Sequence, residues 1–416
     1  MKAILSPKDT PSKNVCLAVT GSKSESNRLL LLQALYPNIR IENISNSDDT
    51  LVLQKALQVS SRSIDIHHAG TAMRFLTAYF ATTQGADVAL SGSDRMQQRP
   101  IKILVEALKY LGANIRYARE DGYPPLQIYG NTLEGGFLKM EAGVSSQYIS
   151  ALLLIAPTLT NGLTLELQGN ITSRPYIVMT LALLNQIEVV TAFNQNTIQV
   201  FPKKRIRDTR FVVESDWSSA SYFYSLIALS KDSKVVLSHY SEESLQGDIA
   251  LCDIYKELGV ATIFNARDKT ITLSKSSGEI TDFLSLDLSS TPDIAQTIAV
   301  TCFGLGIGCQ LRGLHTLKIK ETDRLLALKT ELRKLGAVIS VTKDSLDLEG
   351  ESDLSFMNSQ ANVIEIATYE DHRMAMAFAP LGLKFPLAID NPMVVTKSFP
   401  SFWENIGAMG VTVDLK

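Results

Sequence analysis

The stretch 104–121, LVEALKYLGANIRYARED, contains the pattern from which the fold can be predicted. Its apolar residues first recur at the spacing of an amphipathic helix, and a Leu-Gly pair then ends that helix. A short strand with alternating residues follows. Glycine suits the stop, because the residue that closes a helix commonly adopts a left-handed conformation. The stretch therefore predicts one helix–turn–strand unit.

The same unit recurs along the chain, most clearly at 252–268 (CDIYKELGVATIFNARD) and 328–344 (LKTELRKLGAVISVTKD). Weaker copies lie at 51–66, 180–200 and 401–415. Five helix stops are spaced by roughly 73–77 residues, and an earlier stop near Ser60 lies roughly 50 residues before them; the five are Gly112, Gln186, Gly259, Gly336 and Gly410.

Chance recurrence of helix, glycine and strand is the alternative explanation, since any α/β protein contains such elements. The near-equal spacing favours true repeats. One unit cannot bury its own apolar face, so the repeats predict six stacked units, three in each half of the chain. A cleft between two similar halves would be the default site, and the polar stretch 201–210 is the best candidate crossing between them.

Composition and charge limit the class of protein. The 416 residues suggest two or three domains, and 45% hydrophobic with 20% charged residues is typical of a globular chain. A net charge of −3 does not favour a nucleic-acid partner. The apolar runs are far shorter than the roughly 20 residues of a membrane span, and Pro7 interrupts any N-terminal signal segment. We therefore expect a cytoplasmic protein with no membrane segment.

Cofactor and metal motifs are missing from the sequence. It contains no GxxxxGK[ST] loop, and GLGIG at 304–308 lacks the helix and distal acid of a dinucleotide site. No HExxH, EF-hand or Cys/His cluster predicts a metal site. The four cysteines form no CxxC pair and are predicted to be reduced core residues; they are Cys16, Cys252, Cys302 and Cys309.

Several predicted helices begin with Gly, Ser, Thr or Asp and also carry cations in their first turns. Each small polar residue alone is explained by ordinary helix capping. The cations are not, because the positive end of the helix dipole disfavours them unless an anion lies opposite. Together they predict a bound phosphate or carboxylate; they are Lys23, Arg28, Arg74, Lys320, Arg324 and Arg373.

Two carboxylates lie close to these cations in the sequence. Asp293 follows Pro292 at the start of an apolar helix, and Glu321 lies between Lys320 and Arg324. Helix capping is the simpler explanation for each acid on its own. A pair of acids beside a cluster of cations is what proton transfer on an anionic substrate requires, so both are candidate acid–base residues.

The motifs taken together resemble the enolpyruvyl transferases, and within them the branch that acts on shikimate 3-phosphate. The resemblance covers essentially the whole chain in the family's order; its motifs are GSKSESNR (21–28), AGTAMR (69–74), RMQQRPI (95–101), VSSQY (144–148), SASYF (219–223), QGD (246–248), KETDR (320–324), YEDHRMAM (369–376) and TKSFPSFW (396–403).

The resemblance implies an α/β (α+β) fold of two similar domains. Each domain would contain three βαβαββ-type repeats arranged as an inside-out α/β barrel, with the active site in the cleft between the domains. One domain would span residues 21–214, and the other would combine 1–20 with 215–416. The resemblance also implies a monomer that uses no cofactor or metal.

The implied reaction moves the enolpyruvyl group of phosphoenolpyruvate to the 5-hydroxyl of shikimate 3-phosphate. Asp293 would be the base, Glu321 the proton donor, and Lys23 and Lys397 proton relays. Phosphoenolpyruvate would be held by Lys23, Gly70, Arg99, Gln147, Arg324, Arg373 and Lys397. Shikimate 3-phosphate would be held by Ser24, Arg28, Ser145, Ser146, Gln147, Ser173, Tyr176, Asp293 and Lys320.

Four positions depart from the family pattern. Thr20 replaces a usual Pro, and His68 replaces a usual Asn before AGTAMR, which puts one phosphate contact in doubt. Thr316 replaces a usual Asn and removes one expected contact to shikimate phosphate. Phe75 replaces a frequent Pro and would reshape the helix beside the Gly70 site, which we still expect to be open to glyphosate.

Three other functions are compatible with parts of the pattern. A UDP-N-acetylglucosamine enolpyruvyl transferase would carry a loop cysteine, which 95–101 lacks. A binding protein or RNA-end-processing enzyme built from related repeats would show a basic surface or a nucleotide loop. A scaffold that keeps only the fold would not need Asp293, Glu321, Lys23 and Lys397 together.

Overall fold

The computed structural model describes residues 1–8, 14–58, 61–143, 145–169, 171–350 and 363–416. They divide into two compact units. Unit 1 comprises 1–20 and 214–416, and unit 2 comprises 21–213. The chain therefore passes between the units at 20/21 and again at 213/214, and the polar stretch 201–210 lies within unit 2.

Unit 2 consists of small sheets covered by helices, with elements numbered along the whole chain. Its helices are α1 (Lys23–Leu35), α2 (Asp48–Gln58), α3 (Gly70–Thr82), α4 (Asp94–Gln97), α5 (Lys102–Tyr110), α6 (Ser146–Ile155) and α7 (Arg174–Gln186). Its strands are β3 (Ile39–Glu42), β4 (Ser63–Asp65), β5 (Asp87–Ser91), β6 (Asn114–Tyr117), β7 (Leu126–Tyr129), β8 (Gly136–Glu141), β9 (Leu163–Gln168), β10 (Thr191–Asn194), β11 (Thr197–Val200) and β12 (Thr209–Val212).

Unit 1 has the same kind of construction. Its helices are α8 (Trp217–Leu229), α9 (Leu251–Glu257), α10 (Ala295–Leu305), α11 (Arg324–Lys334), α12 (His372–Phe378) and α13 (Phe402–Ala408). Its strands are β1 (Lys2–Pro7), β2 (Asn14–Leu17), β13 (Lys234–Ser238), β14 (Val260–Asn265), β15 (Thr270–Lys275), β16 (Phe283–Asp287), β17 (Gly308–Arg312), β18 (Ile339–Val341), β19 (Leu346–Leu348), β20 (Ile364–Ile366), β21 (Leu387–Asp390) and β22 (Val411–Leu415).

Five four-stranded sheets share one ladder pattern, in which the first two strands are parallel and the other pairings are antiparallel. In unit 2 these sheets are β4-β5-β7-β6 and β8-β9-β11-β10. In unit 1 they are β2-β13-β15-β14, β16-β17-β19-β18 and β20-β21-β1-β22. A parallel pair, β3-β12, forms a sixth sheet. Each sheet is open, and the repeated pattern confirms the predicted repeat unit.

The last sheet of unit 1 is completed by the beginning of the chain. β1 occupies the position that a fourth consecutive strand occupies in the other sheets, and it pairs with both β21 and β22. This pairing ties residues 2–7 to the end of the chain, which explains why unit 1 is discontinuous in sequence.

The predicted helix stops correspond to left-handed residues. Gly112, Gly259, Gly336 and Gly410 have φ of +101°, +79°, +85° and +101° just after α5, α9, α11 and α13. The copy at 180–200 differs, because α7 ends at Gln186 as predicted but the left-handed residue is Glu188, with φ of +61°. The stop near Ser60 lies outside the described residues.

The cores of both units are apolar, and the cysteines need one correction. α8 and α10 are buried along nearly their whole length, which explains why they are apolar on every side. All four cysteines are free, but Cys16 is exposed and Cys252 is half-buried, so only Cys302 and Cys309 are core residues. Within the described ranges, no helix is long and apolar enough to cross a membrane.

Candidate active site

The helix starts predicted from the sequence are helix starts in the structure. Ser22, Ser145 and Asp216 cap α1, α6 and α8, each accepting a hydrogen bond from a backbone N–H of the first turn. Asp323 and Asp371 cap α11 and α12 in the same way. Helix α3 begins at Gly70 without a side-chain cap. Free N–H groups at such helix ends favour anions.

Arg324 is the centre of the site in unit 1. It is the first residue of α11, its side chain is only 2% exposed, and it contacts three carboxylates. Its Nη1 lies 2.9 Å from Asp293 Oδ1, its Nη2 lies 3.0 Å from Glu321 Oε2, and its Nε lies 2.7 Å from Asp371 Oδ2. Burial alone would lower the pKa of Arg324, but the three carboxylates raise it above its ordinary value. Arg324 therefore stays charged and holds the acids in place.

Asp293 is surrounded by cations. Besides Arg324, it faces Lys320 Nζ at 3.4 Å and Arg373 Nη2 at 3.4 Å, and its backbone carbonyl accepts a hydrogen bond from Arg373 Nη1 at 3.2 Å. It lies in a short 3-10 turn, Pro292–Ile294, that leads into α10. Burial lowers the pKa of Lys320, although Asp293 opposes this effect. A carboxylate held among three cations but still partly exposed is suited to accept a proton from a bound hydroxyl.

Glu321 connects the same cluster to Lys397. Lys397 donates a hydrogen bond of 2.7 Å from Nζ to Glu321 Oε1, while Arg324 occupies the other carboxylate oxygen. Lys397 belongs to the 3-10 turn Pro392–Lys397 that precedes α13. The structure thus brings together the predicted residues of unit 1, which are Asp293, Lys320, Glu321, Arg324, Arg373 and Lys397.

Two acids of this cluster were not predicted as site residues. Asp371 is fully buried and accepts from Arg324, and Asp248 is buried and accepts a short hydrogen bond from Ser218 Oγ. Arg373 Nη2 lies 3.4 Å from the same Ser218 oxygen. Burial raises the pKa of Asp248 to about 6. Asp371 lies in the motif YEDHR, at a helix start and two residues before Arg373, and Asp248 lies in the motif QGD. These motifs were the available signal.

In unit 2, Arg28 lies in a buried pocket built from four helices. Its guanidinium donates to Thr180 Oγ1 at 2.8 Å, Ser150 Oγ at 2.9 Å, and the carbonyls of Ser24 and Tyr176 at 2.7 and 3.3 Å. These four partners are uncharged oxygens. Burial lowers the pKa of Arg28 to about 10. The predicted residues Ser24, Arg28 and Tyr176 are thus neighbours, and Phe75 and Tyr176 place their rings 5.7 Å from the guanidinium carbon.

A second cluster in unit 2 surrounds the start of α3. A methyl group added at Gly70 would come within 2.6 Å of Arg99 Nη1, so any larger residue at position 70 would displace this arginine. Gln147 donates a hydrogen bond of 3.1 Å to Thr71 Oγ1. The structure therefore groups Gly70 with Arg99, and Gln147 with the first turn of the same helix.

The remaining predicted residues of unit 2 also lie at helix starts. Lys23 Nζ lies 3.6 Å from Asp49 Oδ2, and Ser145 and Ser146 begin α6. Ser173 precedes α7 and has φ of +52°, a left-handed conformation that non-glycine residues rarely adopt. Such strain is typical of residues that contact a ligand.

The positions that depart from the family pattern have definite surroundings. His68 is exposed, and its Nδ1 lies 2.9 Å from Ser93 Oγ, so it is engaged with the cap of α4. Thr316 is buried in the turn His315–Ile319. Phe75 is fully buried within α3, which remains regular.

Repeated α/β units with cations and carboxylates at their helix starts define the class, which is that of the enolpyruvyl transferases. The family model of EPSP synthase (3-phosphoshikimate 1-carboxyvinyltransferase) matches residues 52–406. The chain therefore belongs to the EPSP synthase family.

Individual proteins agree with this assignment. A 3-phosphoshikimate 1-carboxyvinyltransferase of Bacteroides fragilis is 45% identical over 398 residues, with 95% of each chain covered. The enzyme of the same name from Erwinia tasmaniensis is 35% identical, with 94% of each chain covered. The solved structure of EPSP synthase from Acinetobacter baumannii matches the fold with a TM-score of 0.78 at 21% identity, covering 100% of each chain.

Proposed function

We propose that this chain transfers the enolpyruvyl group of phosphoenolpyruvate to the 5-hydroxyl of shikimate 3-phosphate and releases phosphate. This reaction belongs to the shikimate pathway, which leads to chorismate and the aromatic amino acids. The observation that carries the proposal is the unit 1 cluster, in which Asp293 and Glu321 are held by the same buried arginine. Two acids among cations suit proton transfers on anionic substrates.

The reaction proceeds by addition and elimination. A proton adds to the methylene carbon of phosphoenolpyruvate, and the 5-hydroxyl oxygen forms a bond to the neighbouring carbon as its own proton leaves. The tetrahedral intermediate then loses a proton from the new methyl group, the carbon–phosphate oxygen bond breaks, and phosphate departs. The charges of substrates and products balance without an oxidant or reductant.

Asp293 and Glu321 are assigned the two proton-transfer roles. Asp293 takes the hydroxyl proton, and Lys320, Arg324 and Arg373 hold its carboxylate in position. Glu321 delivers the proton to the methylene carbon, and Lys397 exchanges protons with it over 2.7 Å. Lys23 is the further relay.

The cations are divided between the two anionic substrates. Phosphoenolpyruvate is held by Lys23, Arg99, Gln147, Arg324, Arg373 and Lys397, with Gly70 permitting close approach. Shikimate 3-phosphate is held by Ser24, Arg28, Ser145, Ser146, Gln147, Ser173, Tyr176, Asp293 and Lys320. The pocket of Arg28 favours this assignment, because the hydrogen-bond partners of its guanidinium are uncharged and a phosphate would form a charge-assisted pair with it.

A change of conformation on substrate binding is also part of the proposal, because excluding water would protect the cationic intermediate. Small-angle scattering with and without both substrates tests this change, and identical profiles would remove it from the proposal. We further propose a cytoplasmic monomer, which gel filtration and cell fractionation would test.

The direct test measures inorganic phosphate release with phosphoenolpyruvate and shikimate 3-phosphate, omitting each substrate in turn. We expect release only when both are present. Release with UDP-N-acetylglucosamine in place of shikimate 3-phosphate would overturn the proposed acceptor. Asp293→Asn and Glu321→Gln should each lower kcat by about 10²–10⁴-fold, which is the usual contribution of a general acid or base. Values within a few-fold of wild type would show that the proton-transfer roles are wrong.

A further inference from the structure

Helix α11 holds the segment 367–371 at two places. Arg324, at its first turn, contacts Asp371, and Glu331, near its end, contacts Ala367 and Tyr369. Residues seven apart on a helix lie on the same face, about two turns from each other. One face of α11 therefore contacts both ends of this short segment. Of these contacts, only the one made by Arg324 belongs to the proposed machinery.

Glu331 is a fully buried carboxylate with three donors. Its Oε1 accepts a hydrogen bond of 2.6 Å from the Tyr369 hydroxyl. Its Oε2 accepts 3.0 Å from the backbone N–H of Ala367 and 2.6 Å from Lys334 Nζ. Buried carboxylates are costly unless they are hydrogen-bonded in this way.

The residues between these two contacts have an unfavourable backbone conformation. Tyr369 and Glu370 have φ of +54° and +55°, so two successive non-glycine residues are left-handed. This conformation is unfavourable for residues other than glycine. The turn is closed by a hydrogen bond of 2.9 Å from the Asp371 N–H to the Thr368 carbonyl. Strain of this kind persists only where surrounding contacts impose it.

The turn leads directly into the cluster around Asp293. Asp371 accepts from Arg324 and also caps α12, accepting 2.9 Å from the Arg373 N–H. Arg373 then reaches Asp293 with its guanidinium. The direction of the chain as it leaves the turn therefore sets the positions of Asp371 and Arg373.

We propose that Glu331 and Tyr369 are positioning residues for the phosphoenolpyruvate half of the site. Their hydrogen bond holds the left-handed turn, and the turn places Asp371 against Arg324 and Arg373 beside Asp293. Burial and the neighbouring Glu331 carboxylate raise the pKa of Tyr369 to about 12, so the hydroxyl remains a donor at neutral pH. This inference rests on the proposed function.

Tyr369→Phe tests the inference in the full-length chain, because it removes the hydroxyl and leaves the ring and the backbone. We expect the KM for phosphoenolpyruvate to rise on the order of tenfold and the KM for shikimate 3-phosphate to stay within about twofold, since a hydrogen bond to a charged group has roughly that strength. Glu331→Gln keeps an oxygen acceptor for Tyr369 but loses the charge, so its KM for phosphoenolpyruvate should lie between those of wild type and Tyr369→Phe.

Two variants act as matched controls. Tyr224→Phe removes a buried tyrosine hydroxyl that contacts Thr262 at 2.8 Å elsewhere in unit 1. Lys334→Met removes a donor to Glu331 but leaves the turn intact. Both should keep wild-type KM values for the two substrates.

The outcomes separate this inference from the function on which it rests. A folded Tyr369→Phe variant with a wild-type KM for phosphoenolpyruvate would overturn the inference alone, as would an equal rise in both KM values. Wild-type protein that releases no phosphate from the two substrates would overturn both.

Discussion

The most deeply buried arginine of each unit is only 2% exposed, and these two arginines, Arg324 and Arg28, have opposite surroundings. Arg324 in unit 1 contacts three carboxylates, which raise its pKa. Arg28 in unit 2 donates to two hydroxyls and two carbonyls, and burial lowers its pKa to about 10. The side chains are almost equally inaccessible, so burial does not explain the difference. The partners do.

This difference indicates that the two units are suited to different functions. Unit 1 contains its own acids, already positioned by cations, and is therefore suited to move protons. Unit 2 contains a cation whose charge the protein balances only weakly, and is therefore suited to bind an anion. The charge of Glu25 favours the charged form of Arg28, and a bound phosphate would add a second negative charge beside the guanidinium.

Arg324→Met should have the largest effect on both stability and activity. It leaves Asp371, a fully buried carboxylate, without its guanidinium partner, so the free energy of unfolding should fall by about 3–5 kcal/mol. Phosphate release should also fall by at least about 10²–10³-fold, the usual effect of removing an electrostatic stabiliser. Urea unfolding and phosphate release measure the two effects. Arg333→Met, an exposed position on the same helix, is the control and should change neither.

Arg28→Met should separate binding from stability. The KM for shikimate 3-phosphate should rise by about 10–100-fold, because a phosphate would lose a charge-assisted hydrogen bond. The free energy of unfolding should stay within about 1 kcal/mol or increase, because a desolvated cation is replaced by an apolar side chain. Exposed Arg40→Met serves as the control in unit 2. Destabilisation as large as that of Arg324→Met would remove the distinction between the two arginines.

Much of the fold was predictable because its signals are local. Helix periodicity, a glycine after the helix and a cap before it all lie within one stretch of sequence, as at Gly336 and Asp323. The cations at helix starts were predictable for the same reason, since they contradict the helix dipole. The ladder shared by five sheets then follows from repetition of one unit.

Contacts between distant segments could not be predicted from these local signals. Asp371 lies 47 residues from Arg324, and Asp248 lies 30 residues from Ser218, yet each pair is hydrogen-bonded. The hydrogen bond from Tyr369 to Glu331 is equally non-local. The sequence around each acid does not identify its partner, which only the packing of distant segments reveals.

The free energy of unfolding should depend on pH through Asp248 in unit 1. Burial raises its pKa in the folded protein to about 6 from an ordinary value of 3.8, so ionisation opposes folding. The stability that the protonated form provides is complete below about pH 4 and is lost as pH rises through 6. Asp248→Asn should therefore increase the free energy of unfolding by about 2–3 kcal/mol at pH 8 and by almost nothing near pH 4. An increase that is the same at both pH values would contradict this assignment.

The smallest predicted effect compares equivalent turns in the repeats of the two units. Gly336 closes α11 in unit 1 with φ of +85°, whereas Glu188 follows α7 in unit 2 with φ of +61°. A non-glycine residue in this conformation costs about 1 kcal/mol, so Glu188→Gly should relieve strain. It also removes ion pairs of Glu188 with Lys203 and Arg207, at 3.2 and 3.5 Å. Glu188→Ala removes the same ion pairs but keeps the strain, so the glycine variant should unfold at higher urea than the alanine variant. Equal midpoints would mean that the left-handed conformation of residue 188, at the end of the helix of the third repeat, contributes no measurable strain.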